Sequence, residues 1–372
     1  MLSYEATVCD AWLASAELPY EWLIPLLHQM KGSRNVYEAF ARNGSESLRD
    51  MIPEKQRKLL AEAAGEPRMN AFRGLAEKHG IRSMTILDEG YPHCLREIED
   101  PPGILFYQGN PDCLAAERRA AMVGSRSASY AGLKAARKIA RELSQSGVVI
   151  VSGLAYGIDA ECHRGCLEGG SPTIAVMGCG PDRNYPAGNE GLKRDILAQG
   201  GLVISEYAPG TSPLGRHFPY RNRIISALAG PVILMEAKIR SGSMTTVGHA
   251  LKQGREVYAY PGDPTSPSAE ANRTLLREGA RYFTEAEDIL ADMNWLDKTR
   301  HVGQNIVCST QAAAENASES AVLSALARGE LGFDELLEAT GESPEELMRA
   351  LTMLQIKKQT EPLPGKRYRI RS

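Results

Sequence analysis

The chain has 372 residues, 43% of them hydrophobic and 24% charged, with seven cysteines and a formal net charge of −3. At roughly 100–200 residues per domain, this length predicts two or three domains with enough core to fold unaided. The longest uncharged, mostly apolar run, about Val148 to Ile158, is well short of the ~18 residues that a membrane helix needs. The N-terminal MLSYEATVCD has neither the basic nor the apolar region of a secretory signal. An odd number of scattered cysteines makes no disulfide framework. The expectation is a cytoplasmic protein, neither membrane-bound, secreted nor fibrous.

The charge is unevenly spread. Residues 1–112 carry 12 Lys+Arg against 17 Asp+Glu, net −5, and residues 113–290 carry 21 against 17, net +4. Residues 291–317 and 318–372 are each at −1. A net of +4 is mild, so a polyanionic partner has to be argued from clustered arginines and not from bulk charge.

In chain order, residues 1–75 read as a helical domain. AWLASAEL, EWLIPLLHQM, NVYEAFARN and PEKQRKLLAEAA place apolar residues at three- and four-residue spacing. A DNA-binding helix-hairpin-helix wants a Gly-rich hairpin, whereas the first turn is Glu17-Leu18-Pro19-Tyr20, so packing or interaction is the preferred role. Residues 76–290 form the second predicted domain. From about 118 the apolar runs AAMVG, VVIVSG, TIAVMG, LVISE, PVILME and EVYAYPG alternate with helical stretches. This is the pattern of a doubly wound, mostly parallel Rossmann-like sheet of the α/β class, buried on both faces. ILFYQG (104–109) is expected to add an edge strand. Residues 291–317, polar and aperiodic, read as a linker. Residues 318–372 read as helix, helix (Phe333–Thr340), turn, helix (Pro344–Lys358) and a strand pair around Pro362-Leu363-Pro364-Gly365, a winged-helix outline.

Ligands of open parallel sheets bind at the C-terminal strand ends, which directs attention to the loops there. Gly124-Ser125-Arg126 follows the first run, and a glycine turn at a helix start offers amides to phosphate while Arg126 adds a charged fork. The loop is GSRSAS and the second strand ends in Ser152-Gly153, so the dinucleotide pattern of glycines and a ribose-binding acid is missing. The glycines of Ser152-Gly153-Leu154-Ala155-Tyr156-Gly157 and Gly178-Cys179-Gly180 have tight turns as their simplest explanation, and Asp159 reads as a helix-start residue. Arg216, Arg221 and Arg223, interleaved with Phe218 and Tyr220, open a helix at a strand end. Arginines for phosphates plus an aromatic platform suit single-stranded nucleic acid. The alternative is that the aromatics are core and one arginine pairs with an internal carboxylate. Arg240-Ser241-Gly242-Ser243 forms a further cradle, with His249 where a Walker A loop needs Lys.

No metal and no cofactor are expected. Glu236-Ala237-Lys238 matches half of a nuclease signature, but its only Pro-Asp partner, Pro181-Asp182, is distant, and a two-metal site needs several carboxylates. Cys162, His163 and Cys166 have no second ligand pair and read as buried groups.

Taken in order, VGSR (123–126), SGLAYGIDAECHRG (152–165), GCGPDRNYP (178–186), SEYAPGTSP (205–213), FPYRNRII (218–225), EAKIRSGSMTT (236–246) and GREVYAYPG (254–262) resemble the DNA-processing protein A (DprA/Smf) family. YPHCLREIEDPPGILFYQG (91–109) resembles its lead-in segment, and the helical and winged-helix ends fit its architecture, the first as a SAM-like or helix-hairpin-helix-like domain. The resemblance implies a homodimer, joined through the Rossmann-like domain, that binds single-stranded DNA and loads the recombinase RecA on it during natural transformation, without catalysis. It carries a DNA pocket over to Gly124, Ser125, Arg126, Phe218, Arg221, Asn222 and Arg223. The loop reading adds Ser152, Gly153, Arg216, Ser241, Gly242 and Ser243. Other members carry a basic residue three before the Phe, at Gly215 here, with Arg216 the expected substitute; Tyr156 stands where Arg is common and Ala227 where Gly is common. The competing hypothesis is a nucleotide-binding enzyme of the phosphoribohydrolase-like group, disfavoured because residues 240–246 lack its PGGxGT loop. The winged helix, whose reading helix begins Ser343-Pro344-Glu345-Glu346, is expected to be a protein-interaction or accessory DNA module, with Lys357, Lys358, Lys366, Arg367, Arg369 and Arg371 able to touch a backbone.

Overall fold

A computed structural model describes residues 4–263, 265–296, 318–319, 321–326, 329–356, 360–363 and 367–370. The chain divides into two compact units, Met1–Leu296 and Asp297–Ser372, described separately below.

The first unit begins with five helices, α1 (Glu5–Ala14), α2 (Tyr20–Met30), α3 (Ser33–Asn43), α4 (Glu54–Ala63) and α5 (Glu66–His79). Trp12 holds them together. It is fully buried, meets Tyr37 edge-on and Phe40 at a tilt, and donates its indole N–H to Leu60 O at 2.9 Å, which satisfies the one polar atom that burial would otherwise strand. The hairpin between α1 and α2 is not glycine-built, and Glu17 itself takes positive φ. A boundary at residue 75 falls inside α5, which runs on to Gly80 in the left-handed conformation that favours glycine.

Then come β1 (Arg82–Thr85), α6 (His93–Arg96), β2 (Ile104–Gly109), β3 (Arg119–Val123), α7 (Tyr130–Gln145), β4 (Val149–Ser152), α8 (Ile158–Gly169), β5 (Thr173–Val176), α9 (Glu190–Ala198), β6 (Leu202–Ser205), α10 (His217–Ala227), β7 (Pro231–Leu234), α11 (Ser243–Lys252), β8 (Glu256–Ala259), α12 (Glu270–Arg277), β9 (Arg281–Tyr282) and α13 (Ala286–Asp292). The sheet order is β1-β2-β6-β5-β4-β3-β7-β8-β9. β6 through β9 are parallel, and β1 and β2 are added antiparallel. ILFYQG is therefore not the edge: β2 lies between β1 and β6, because Arg82–Thr85 pairs on its outer side.

Side-chain alternation splits the core. Ala120, Met122, Ile150 and Ile233 join α7, α8 and α13 on one face, whereas Ala121, Val123, Val151 and Val232 join α10, α11 and the N-terminal helices on the other. Consecutive residues of one strand feed opposite layers, which explains the uninterrupted apolar runs. The order reverses between β3 and β7, so their C-terminal ends part on opposite sides and leave a crevice.

In the second unit, α14 (321–326), β10 (Leu331–Gly332), α15 (Phe333–Thr340), α16 (Pro344–Ile356), β11 (Thr360–Leu363) and β12 (Arg367–Ile370) build a winged helix with strand order β10-β12-β11. Val322, Leu326, Leu336, Leu347, Leu351 and Leu354 are its core. Ser343 and Glu346 cap α16 reciprocally at 2.6–3.3 Å. Most of the linker, and Lys357, Lys358, Lys366 and Arg371, lie outside the described residues.

Candidate nucleic-acid interface

At the switch point between β3 and β7 is a cleft of about 540 Å³. One wall is Gly124, Ser125, Arg126 and Ser127, between β3 and α7; the other is Lys238 and Arg240–Ser243, between β7 and α11; α10 supplies Phe218, Arg221 and Asn222. Gly124 is needed because a Cβ there would lie 2.6 Å from Ile158 and 2.9 Å from Glu236 O, so the two strand ends could not close up.

The expected open amides of the first loop are largely spoken for. Ser125 N–H donates to Glu236 O at 2.7 Å, Ser127 N–H to Ser125 Oγ at 3.2 Å and Ser129 N–H to the Glu236 carboxylate at 2.8 Å. Ser129 Oγ donates to that carboxylate at 2.5 Å and accepts Gly132 N–H. Glu236, buried, thus serves as an internal anion at the start of α7 instead of a nuclease ligand. Attraction for an anion therefore falls to side chains. Arg126, Lys238 and Arg240 are exposed and make no ion pair among the described residues, while Ser241 and Ser243 join hydroxyls at 2.7 Å.

α10 divides its residues by direction. At about 100° per residue, Phe218, Arg221 and Asn222 share one side, and Arg223 points roughly 200° from Arg221. Arg221 is 4% exposed and donates Nη1 to Gly153 O at 3.1 Å and also to Val176 O. Burial pushes its guanidinium down to about 10, against the opposing pull of Asp159, so it remains charged at neutral pH. Asp159 accepts from Gly153 N–H and Ala155 N–H at 3.2 and 3.4 Å and, being buried, has its carboxyl pushed up. Asn222 donates to Gly242 O at 3.1 Å and Thr245 Oγ1 at 2.6 Å, fastening α10 to the serine loop.

Four expected site residues do not line the cleft. Ser152 is fully buried and donates to Met122 O. Arg216 is exposed and reaches Glu17 at 3.4 Å. Arg223 is buried and clamps Glu206 with both Nη atoms, at 2.8 and 2.7 Å, while its Nε donates to Asp100 O at 2.9 Å. That is the internal ion pair of the competing reading of these arginines. Gly153 lines a smaller slot of about 130 Å³ beside the cleft, together with Tyr156, Tyr185, Phe218, Arg126 and Arg221.

Lys238 and Tyr185 line the cleft without having been singled out as candidates, and Arg240 lines it together with the Ser241–Ser243 cradle it opens. Tyr185 packs on Phe218 with centroids 5.2 Å apart at 33°, and Arg126 lies 5.7 Å from the Phe218 centroid, within cation–π range. The signal for Lys238 and Arg240 was their place just past the apolar run of β7. Cys162 and Cys166 are fully buried and His163 Nδ1 meets Thr173 Oγ1 at 2.8 Å. No group of three or more His, Cys, Asp or Glu suited to a metal occurs among the described residues, and no helix there is long and apolar enough to cross a membrane. In the winged helix, Asp334, Glu335, Glu338, Glu345 and Glu346 are exposed on α15 and α16, while Arg369 is held by Glu361 and Glu330.

Residues 82–294 match the family model of DNA recombination-mediator protein A, and residues 309–366 match the DprA winged helix domain. The chain belongs to the DprA/Smf family. DNA processing protein DprA of Streptococcus pneumoniae is 45% identical over 213 residues, 57% of this chain and 74% of that protein. Its Bacillus subtilis counterpart is 37% identical over 227 residues, 61% of this chain and 76% of that protein. The solved S. pneumoniae structure superposes with a TM-score of 0.62 at 36% identity, covering 75% of this chain and 95% of that one. DNA processing protein A from Helicobacter pylori, described for its single-stranded DNA binding mode, gives 0.52 at 28% identity, covering 57% of this chain and 95% of that one.

Proposed function

We propose that the chain binds single-stranded DNA in the switch-point cleft and acts as a recombination mediator, loading RecA on incoming DNA during natural transformation, as a cytoplasmic homodimer and without catalysis of its own. The observation that carries this reading is the pairing of Arg126, Lys238 and Arg240, which make no ion pair among the described residues, with the Phe218–Tyr185 aromatic pair on the cleft wall. Phosphates lie across the Gly124–Arg126 and Ser241–Ser243 loops, and a base rests at Phe218. An exposed Tyr185 against a half-buried Phe218, beside cations, favours an unstacked base of a single strand over a stacked duplex. RecA loading and the dimer rest on the family relationship alone. The helical domain, the Rossmann-like domain and the tethered winged helix are read as separate domains, with the acidic α15–α16 surface making the last a protein-interaction or accessory DNA module.

The test is a fluorescence-anisotropy titration of a labelled single strand against a duplex of equal length, using the native protein and Arg126→Ala. Single-strand preference that weakens in the variant supports the reading. Binding indifferent to strandedness and to Arg126 overturns it, and release of free base from nucleoside monophosphates by the purified protein would make it an enzyme instead.

A further inference from the structure

α7 leaves the cleft wall at its first turn, and there the structure exposes a side chain that the cleft does not use. Tyr130 is 83% exposed, more than any other large apolar or aromatic side chain among the described residues. Below it on the same helix come Lys134, Arg137 and Arg141. At about 100° per residue these four fall within roughly 60° of the helix circumference, away from Ala136, Ile139, Ala140 and Leu143, which are buried against the sheet. Arg137 is engaged by Glu168 and Glu161. Lys134 and Arg141 make no ion pair among the described residues, although Glu168 lies close enough to Arg141 to feel its charge. The line from Tyr130 to Arg141 is about 16 Å long at 1.5 Å per residue.

An aromatic followed by cations at helical spacing, starting just past Ser127 at the end of the cleft wall, complements a polyanion with unstacked bases. We propose that single-stranded DNA leaving the cleft over Arg126 continues down α7, with one base stacked on Tyr130 and phosphates held at Lys134 and Arg141. This rests on the reading of the cleft as the DNA site and extends it to an exit track, so that the footprint is longer than the cleft. An acidic protein segment would use the two cations but would leave the tyrosine without a role.

The experiment compares labelled oligothymidylates of roughly six and roughly twenty nucleotides, chosen to fall below and above the span of cleft plus track. The variants are Tyr130→Ala and the double variant Lys134→Ala/Arg141→Ala, all at exposed positions. On the long strand the double variant should lower the salt slope by about 1.4, at ~0.7 for each lost phosphate contact. Tyr130→Ala should weaken long-strand binding roughly tenfold, as expected for loss of one stacked base. Short-strand binding should not change with either. Equal losses on both lengths, or no loss on either, overturn the track while leaving the cleft intact. A native protein that binds neither length removes the cleft reading and the track with it.

Discussion

Replacing Arg223 by methionine takes away one half of a buried pair while keeping most of the side-chain volume. Arg223 and Glu206 are 4% and 12% exposed at their side chains and meet through two bonds at 2.7 and 2.8 Å. Removing the cation strands the Glu206 carboxylate in the interior, a change that costs about 3–5 kcal/mol. At ~2–4 °C per kcal/mol for chains of this order of size, thermal unfolding should drop by on the order of 10 °C. Arg223 lies on the far side of α10 from the cleft, so single-strand affinity and its salt slope should stay native when measured well below the new transition. The double variant Arg223→Met/Glu206→Leu, which leaves only the less buried Asp100 carboxylate that Arg223 also meets at 3.6 Å, should recover much of the loss. Differential scanning calorimetry and anisotropy on the same samples decide. A variant that melts like the native protein but loses about 0.7 of the salt slope would refute the assignment and return Arg223 to the phosphates.

Other expectations follow from neighbouring contacts. Asp10 is buried between α1, α3 and β1, accepting from Ser83 at 2.5 Å and also from Ser33, and burial raises its carboxyl to about 6. Because the folded value lies above the ordinary one of 3.8, its contribution to stability is present below about pH 4 and is lost as pH rises through 6, on the order of 3 kcal/mol across the window. Asp10→Asn should flatten that part of the stability profile, and an unchanged difference in melting temperature between pH 5 and pH 7.5 would refute this. Gly153→Ala would put a methyl 2.7 Å from Asp159 Oδ2 and 2.8 Å from Arg221 Nη2. It should cost about 1–3 kcal/mol as an overpacked core does and weaken single-strand binding by displacing Arg221; native values of both would contradict the packing described. Asn222→Ala frees the serine loop by removing two hydrogen bonds, so affinity should fall while the salt slope stays native, which a titration at several salt concentrations would reveal.

Parallel strands β3 to β8 were legible because they are buried on both faces and read as apolar runs, whereas the parallel β9, two exposed residues Arg281 and Tyr282, gave no such signal. β1 escaped notice for the opposite reason, being an outer strand of four residues that begins with Arg82 and Ser83. The GSR and SGS loops could be located from the strand ends alone, but not the occupation of their amides: nothing in GSRSAS announces that Glu236, over a hundred residues away, caps Ser129. The arginine cluster misled in an instructive way. Written in a line, Arg216, Arg221 and Arg223 look like one patch; wound into α10 they go to an exposed carboxylate at Glu17, to the cleft and to a buried ion pair. Tyr185 is 33 residues before Phe218 in the chain, and only the folded sheet brings their rings together.

The central claim is that a base of single-stranded DNA lies against Phe218 and Tyr185 in the switch-point cleft. The most direct measurement is photo-crosslinking of an iodouracil-substituted single strand to the full-length protein, followed by peptide mapping. The account expects the label on the peptides carrying Tyr185 or Phe218, lost when Arg126, Lys238 and Arg240 are all replaced by alanine. Label confined to the N-terminal helices or to the winged helix, and indifferent to those three cations, would contradict it.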